Sequence, residues 1–134
     1  DVCSSDLQAQ GGRLDLDQVQ PVLTADEVLA AQAAVRTLYV DEKLLGYIAA
    51  IVAQTRTHPA LALGASPRAS LALLTGAKAV AAMAGRDFVT PDDVRTIAPP
   101  VLRHRLQLTP EREIEGVRID TVVDRVVQSV EVPR

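Results

Sequence analysis

Aromatic residues are almost missing from this 134-residue sequence, which contains one Phe, two Tyr and no Trp. Because 48% of the residues are nevertheless hydrophobic, the core must be built from Ala, Leu and Val. Small aliphatic side chains of this kind favour closely packed helices. The length corresponds to one domain with a sizeable core. We therefore predict a single small all-α helical bundle.

Cysteine, excess positive charge and long apolar runs are scarce as well. The only cysteine, Cys3, excludes a disulfide framework and a cysteine-rich metal site, which fits a reducing, cytoplasmic compartment. The net charge of −3 provides no positive surface for general nucleic-acid binding. No apolar run approaches the roughly 18 residues of a transmembrane helix. We expect neither a nucleic-acid partner nor membrane insertion.

Capping residues divide the rest of the sequence into helices. Residues 1–20 have no helical periodicity and are interpreted as a leader or linker, whereas residues 21–131 are interpreted as the domain. Helix starts are predicted at Thr24, with Glu27 completing a capping box, and at Asp41, Pro67, Thr90 and Asp120. The predicted buried faces contain Val28, Ala31, Val35 and Leu38, then Leu44, Leu45, Ile48, Ile51, Val52 and Thr55, then Leu71, Leu74, Ala77, Val80 and Ala81.

Glycine and proline indicate where these helices end. The second helix is predicted to close at residues 58–59 and the third at Gly85. Residues 86–89 are predicted to form an extended link that places Phe88 in the core. The fourth helix should break at residues 99–100, with one or two further helical turns over residues 101–106. Residues 109–116 are predicted to form a turn or short strand, and the valine-rich segment from Asp120 a helix, although valine favours strands.

The segment GASPR at residues 64–68 combines three features that point to an anion. Ser66 is a candidate helix cap and Pro67 suits a first turn. Arg68 follows where positive charge is disfavoured by roughly 0.3–1 kcal/mol unless an anion lies opposite. Free N–H groups at a helix start favour phosphate. We therefore predict that Ser66, Pro67 and Arg68 face a phosphate group, whereas Arg86 in the later link should have no such role.

Other motifs favour structural interpretations. Asp41 and Glu42 after an apolar stretch resemble a magnesium-holding acidic pair, but a helix cap at Asp41 explains them better. Residues 76–78 lack the first glycine and the hydroxyl of a phosphate-binding loop. His58 and His104 have no acid at metal-ligand spacing, so no metal site is predicted. Ser66 has no nearby histidine base, which argues against a hydrolase.

A basic cluster of Arg103, His104 and Arg105 has two possible explanations. These cations can complement the negative end of a helix dipole, which is the favoured explanation. Alternatively, they contact an acidic partner or a neighbouring subunit. The sequence leaves both explanations open.

From about residue 21 to residue 130, the sequence resembles the C-terminal helical lid domain of MoxR-type AAA+ ATPases. Three blocks carry the resemblance in the family's order: GASPRAS at residues 64–70, GRDFVTPDDV at residues 85–94 and VLRHR at residues 101–105. Residues 23–28 and 47–58 are similar more loosely. The resemblance implies an all-α lid with, at most, a short extended or β link.

The same resemblance implies a function for the full-length protein. Arg68 corresponds to the sensor-2 arginine, which contacts the terminal phosphates of the nucleotide. ATP and Mg²⁺ would be bound mainly by a preceding nucleotide-binding domain, so this chain alone would neither bind ATP tightly nor hydrolyse it. The family implies a homo-hexamer with chaperone-like activity on partners that contain von Willebrand factor A-type domains. The alternative is a stand-alone, histone-fold-like interaction module, which VTPDDV at residues 89–94 also suits.

Overall fold

Six helices and two short strands form the regular structure of residues 19–133, the part of the chain that a computed structural model describes. The helices are α1 (Ala25–Thr37), α2 (Glu42–Thr57), α3 (Arg68–Met83), α4 (Pro91–Leu102), α5 (Pro110–Ile114) and α6 (Ile119–Ser129), and the strands are β1 (Leu61–Leu63) and β2 (Gln107–Leu108). The predicted all-α class is confirmed. The chain divides into two units, residues 1–31 and 32–134, with the boundary inside α1.

Helix α1 begins with the predicted capping box. The Thr24 backbone N–H donates to Glu27 Oε2 at 2.7 Å, and the Glu27 N–H donates to Thr24 Oγ1 at 3.2 Å. The hydrogen bonds that the Thr24 backbone N–H and hydroxyl donate to the Glu27 carboxylate lower the pKa of Glu27. The predicted apolar face is wrong, because no side chain of α1 is buried. Residues 1–18 of the predicted leader lie outside the described part of the chain. The boundary between the leader and the domain therefore stays a prediction.

Helix α2 confirms the structural interpretation of Asp41. The Asp41 carboxylate accepts the Lys43 backbone N–H at 2.8 Å and therefore acts as a helix cap. The helix ends where predicted, at an extended His58. Leu45 is 43% exposed, which contradicts its predicted burial. The buried side chains are Leu44, Tyr47, Ile48, Ile51, Val52 and Thr55.

Helix α3 confirms the predicted burial of Ala77 and Ala81, but its buried face is centred differently from the predicted one. Its interior positions are Ala69, Leu73, Ala77 and Ala81, whereas Leu71 is 65% exposed. Small residues on this face allow a close approach of α4, because a Cβ on Gly76 would lie 2.5 Å from the Ile97 side chain. Gly76 is therefore a packing residue, in agreement with its structural interpretation. The helix ends before Gly85, whose φ of +71° provides the predicted stop.

The link before α4 is extended, as predicted, but Phe88 does not lie in the core. The Val89 N–H donates to the Tyr39 carbonyl at 3.1 Å, and a parallel bridge joins Tyr39 to Phe88. Successive side chains of an extended segment point in opposite directions. Val89 is consequently buried, while Phe88 is 47% exposed.

Helix α4 continues past the proline pair to Leu102, so the predicted break is wrong. Pro99 and Pro100 remove the N–H donors that would reach the carbonyls of Arg95 and Thr96. Both of those residues are exposed, so water can satisfy their carbonyl oxygens. Burial of Leu102 at the helix end favours the continuous helix. Residues 101–106 therefore do not form a separate helix.

The strands β1 and β2 pair antiparallel, which was not predicted. Leu61 lies opposite Leu108 and Leu63 lies opposite Gln107, with a register shift between the two pairs. The Thr109 N–H extends the contact by donating to the Ala60 carbonyl at 3.1 Å. This pairing joins two segments that are distant in sequence.

The C-terminal part contains two helices. α5 replaces the predicted turn or strand and is followed by Gly116, which has a φ of +72°. α6 confirms the predicted helix, although it begins after Arg118 and has Asp120 in its first turn. Its buried side chains are Val122, Val123, Val126 and Val127. Burial on helical spacing outweighs the strand propensity of valine.

The core confirms the prediction from composition. Helix α3 packs mainly against α4, and α2 packs against α3 and α6. The largest fully buried side chains are Ile51, Leu73, Leu102, Val94, Val122, Val123, Val126 and Thr55. The core is thus almost entirely aliphatic, and its buried hydroxyl groups are those of Thr55 and Tyr47.

Candidate functional site

The loop that precedes α3 is attached to the C-terminal end of α2 by the buried hydroxyl of Thr55. This hydroxyl accepts the Ala65 N–H at 2.9 Å and donates to the Val52 carbonyl at 2.6 Å. A hydroxyl can do both at once. Thr55 is fully buried, so the two bonds are shielded from water. Sequence reasoning placed Thr55 on an apolar face but missed this role, which a lone hydroxyl on such a face could have indicated.

Arg56 and Gly64 complete the attachment. Arg56 Nε donates to the Ala65 carbonyl at 2.9 Å. A Cβ added at Gly64 would lie 2.7 Å from Arg56 Cα and 2.8 Å from the Thr55 carbonyl oxygen. The backbone of Gly64 therefore lies in direct contact with the backbone at the end of α2. A side chain at residue 64 would force the loop away from α2. The contacts with α2 therefore hold the start of α3 in place.

Helix α3 begins one residue later than predicted. Pro67 already has helical dihedral angles, with φ −56° and ψ −26°, and Arg68 is the first residue of the helix. The Ser66 carbonyl accepts the Ala69 N–H at 2.9 Å. The Ser66 hydroxyl makes no hydrogen bond within residues 19–133, so its predicted capping role is wrong. The backbone turn through Pro67 satisfies that N–H instead of the serine side chain.

Arg68 lies where the sequence placed it. Its side chain is exposed, and within the described part of the chain no carboxylate forms an ion pair with it. The first turn of α3 contains no acidic residue. A cation at the positive end of the helix dipole therefore has no carboxylate among residues 19–133 to compensate its charge.

A cleft of about 450 Å³ lies beside the same loop. It is lined by Arg56, Leu63, Gly64, Ala65, Ser66, Pro67 and Arg105. The pairing of β1 with β2 brings Arg105 to this place, 37 positions along the chain from Arg68. No acidic residue lines the cleft, so its charged side chains are both positive.

The structure divides the predicted basic cluster. Arg103 Nε donates to the Pro99 carbonyl at 3.2 Å and lies 3.3 Å from Asp120 Oδ1. These contacts agree with the helix-end explanation. His104 is exposed and has no hydrogen-bond partner among the described residues. Arg105, by contrast, faces the cleft.

At the start of α4, the charge of the buried Asp93 carboxylate is balanced by partners within the chain. Asp93 is 3% exposed, accepts the Thr90 N–H at 2.7 Å and the Thr90 hydroxyl at 2.8 Å, and forms a bidentate pair with Arg86. The hydrogen bond from Arg86 lowers the pKa of Asp93 to about 2. Arg86 also donates to the Phe88 carbonyl at 3.2 Å. Arg86 is thus a structural ion-pair partner, which the sequence did not indicate.

Neither a metal-binding cluster nor a membrane-spanning helix occurs within residues 19–133. No group of three or more His, Cys, Asp or Glu side chains is arranged to hold a metal ion. No helix in this range is both long and apolar enough to cross a membrane.

Comparison with known proteins places these features in a family. Residues 53–126 match the family described as "AAA lid domain". The chain is 37% identical over 118 residues to the uncharacterized protein YeaC of Bacillus subtilis, with 88% of this chain and 37% of YeaC covered. It is 35% identical over 126 residues to the chaperone MoxR1 of Mycobacterium tuberculosis, with 87% of this chain and 33% of MoxR1 covered.

Two further proteins match at lower sequence identity. The chain is 32% identical over 91 residues to magnesium-chelatase subunit ChlI-1 of Arabidopsis thaliana, covering 68% of this chain and 20% of that subunit. A solved structure of a candidate ATPase from Cytophaga hutchinsonii superposes with a TM-score of 0.82 at 26% identity, covering 98% of this chain and 43% of that one. The chain spans about a third of the length of the curated relatives YeaC and MoxR1.

Proposed function

This chain belongs to the AAA lid domain family and is the lid of a MoxR-like AAA+ protein, and from that premise we propose that Arg68 is its sensor-2 residue. In this proposal the full-length protein binds and hydrolyses ATP with Mg²⁺, and Arg68 contacts the terminal phosphates of the nucleotide. The observation that carries the proposal is an exposed arginine at the first residue of α3 without a carboxylate partner in the described chain. A histone-fold-like stand-alone module is not favoured, because the matching family is a lid.

The local structure fits a phosphate ligand. Arg68 adds a guanidinium, whose planar fork suits phosphate oxygens, to the positive end of the α3 dipole. The loop before it is held by Thr55 and Arg56, so this end of the helix needs little rearrangement when an anion arrives. ATP would supply the phosphoryl group that is transferred, and Mg²⁺ would neutralise part of the negative charge of the phosphates. We assign no magnesium ligand to the described residues.

The remaining parts of the proposal concern the whole assembly. A preceding nucleotide-binding domain of the same protein would hold most of the nucleotide. A homo-hexamer with chaperone-like activity, partners with von Willebrand factor A-type domains and a cytoplasmic location are the further expectations that the family resemblance supports. A glycine-rich loop ending in Gly-Lys-Ser/Thr, about 150–250 residues before residue 21, is the first sequence feature to check in the full-length protein.

Steady-state ATPase assays on the full-length protein test Arg68 directly. We expect Arg68→Ala to reduce turnover by about tenfold to a hundredfold, since each lost 1.36 kcal/mol of transition-state stabilisation costs about a factor of ten. Nucleotide affinity should fall less, because the contact strengthens as charge develops. Arg68→Lys should restore only part of the activity, because an ammonium group lacks the planar fork.

The matched control is Arg125→Ala. Arg125 is exposed on α6 and has no carboxylate partner among the described residues, whereas Arg86 is unsuitable because it pairs with buried Asp93. The control should leave turnover unchanged. Wild-type turnover in Arg68→Ala would remove the sensor-2 assignment.

A further inference from the structure

Half of the described arginines lack a carboxylate partner. Five of the ten form ion pairs, namely Arg86, Arg95, Arg103, Arg112 and Arg118. The other five are Arg36, Arg56, Arg68, Arg105 and Arg125. A shortage of acids does not explain this, because the chain has 17 Asp and Glu residues against 14 Lys and Arg residues.

Two of the five unpaired arginines line one cleft, and a third is the next residue in sequence after the loop that lines it. Arg56 and Arg105 line the cleft beside residues 64–67, and Arg68 follows directly in sequence. Like charges at one site repel each other, so an empty cleft of this composition is electrostatically unfavourable. An anion with several charges would remove the repulsion.

We propose that Arg105 is a second cation for the terminal phosphates of the nucleotide and acts together with Arg68. The inference rests on the proposed nucleotide-sensing function and deepens it. Arg56 is a positioning residue, since its Nε is already engaged by the Ala65 carbonyl. The cleft thus combines Arg105 with a loop that Arg56 holds and that leads directly into Arg68.

The backbone around Arg105 is fixed on both sides. Its N–H donates to the Leu102 carbonyl at 2.8 Å, at the end of α4. Two residues later, β2 begins and pairs with β1, which leads directly into Gly64. A cation on a backbone held this way is oriented before its ligand arrives, which is how charge stabilisation becomes effective.

The ligand chemistry follows from the side chains. Arginine forks form paired hydrogen bonds with phosphate or carboxylate oxygens. Among these anions, the terminal phosphates of ATP carry several charges within the span of one small cleft. ATP has one more phosphate than ADP, so a second arginine should improve discrimination between the two nucleotides.

Nucleotide titrations of the full-length protein provide the test. Dissociation constants for magnesium-ATP and magnesium-ADP would be measured for wild type, Arg105→Ala, Arg105→Lys, Arg68→Ala and the control Arg125→Ala, together with ATP turnover. We expect Arg105→Ala to weaken ATP binding about three- to tenfold and ADP binding less than about twofold. Arg105→Lys should recover part of the loss, and Arg125→Ala should match wild type. A merely structural defect would weaken both nucleotides equally.

The outcomes separate this inference from the proposed function. An unchanged ATP-to-ADP affinity ratio in Arg105→Ala overturns the role of Arg105. If Arg68→Ala still lowers turnover in that case, the sensor-2 proposal stands alone, whereas wild-type behaviour of both variants removes both proposals. Sedimentation of Arg105→Ala adds a third result: a changed assembly size with an unchanged affinity ratio would assign Arg105 to a subunit contact and contradict the inference.

Discussion

Arg86 and Arg68 differ in their electrostatic surroundings, although both lie close to a helix start. Arg86 is paired with the buried carboxylate of Asp93, which also receives two hydrogen bonds from Thr90. Arg68 is exposed at the first residue of α3 and has no such partner in the described chain. The first arrangement stabilises the fold, and the second leaves a charge available to a ligand.

The lowered pKa of Asp93 predicts a loss of stability in acid. Arg86 lowers this pKa from 3.8 to about 2, so the folded state binds the proton less readily than the unfolded state. The stabilisation is present above about pH 4 and is lost as the pH falls towards 2. It amounts to at most about 2 kcal/mol. Urea unfolding at about pH 7 and about pH 2.5 would measure it.

Asp93→Asn should remove this part of the pH dependence. Asp92→Asn is the matched control, because the neighbouring Asp92 side chain is 85% exposed and pairs only with exposed Arg95. The control should retain the wild-type dependence. An equal loss of stability in acid for wild type and Asp93→Asn would show that the buried pair is not responsible.

At the scale of elements, the helix starts of α3 and α4, each with a hydroxyl residue followed by proline, serve different purposes. α4 begins after Thr90 with acids in its first turn, which suit the helix dipole. α3 has no acid in its first turn, and its preceding loop is attached to α2. The β1–β2 pair then brings the segment after α4 against that loop. Two short strands thereby assemble the candidate site.

Unfolding experiments should distinguish these two helix starts. We expect Thr90→Ala to lower the free energy of unfolding by roughly 1 kcal/mol, because the hydrogen bond from the threonine hydroxyl to Asp93 is lost. Arg68→Ala should leave stability unchanged or slightly raise it, because it removes a cation from the positive end of a dipole. Urea melts of the two variants make the comparison. Clear destabilisation by Arg68→Ala would mean that this arginine has a structural partner.

At the scale of the whole molecule, the proposal assigns this chain only part of a nucleotide site. The curated relatives YeaC and MoxR1 are about three times its matched length, and no metal-binding cluster exists within residues 19–133. The aliphatic core orients a helix start and a cleft with positive side chains. In the proposal these features contact the outer phosphates of a nucleotide, and the preceding domain holds the rest of it.

We therefore expect the isolated chain to bind ATP only weakly and not to hydrolyse it. Hydrogen bonds to one charged group contribute about 1.5–3 kcal/mol, so two arginines remain below the roughly 8 kcal/mol that micromolar affinity requires. Titration calorimetry with magnesium-ATP checks this expectation. A dissociation constant in the low micromolar range would show that the chain holds a complete nucleotide site.

Local patterns in the sequence were sufficient for all the described helices except α5 and for the position of Arg68. Capping at Thr24 and Asp41 and the stop at Gly85 depend on neighbouring residues only, so they were predicted correctly. The placement of an arginine at a helix start is equally local. The face of α1, the exposure of Leu71 and Phe88, the helix α5 and the continuation through Pro99 were predicted wrongly, because each depends on what packs nearby.

The sequence by itself determined an all-α domain with an aliphatic core and an unpaired cation at the start of α3. Only the tertiary structure decided that Thr55 and Arg56 hold the loop and that Arg105 shares its cleft. It also decided that Arg86 forms an ion pair with Asp93. The physical reason is the range of the interactions. Capping and periodicity act over three or four residues, whereas a buried hydroxyl, an ion pair or a strand pair is completed by whichever residue the folded chain brings within about 3 Å.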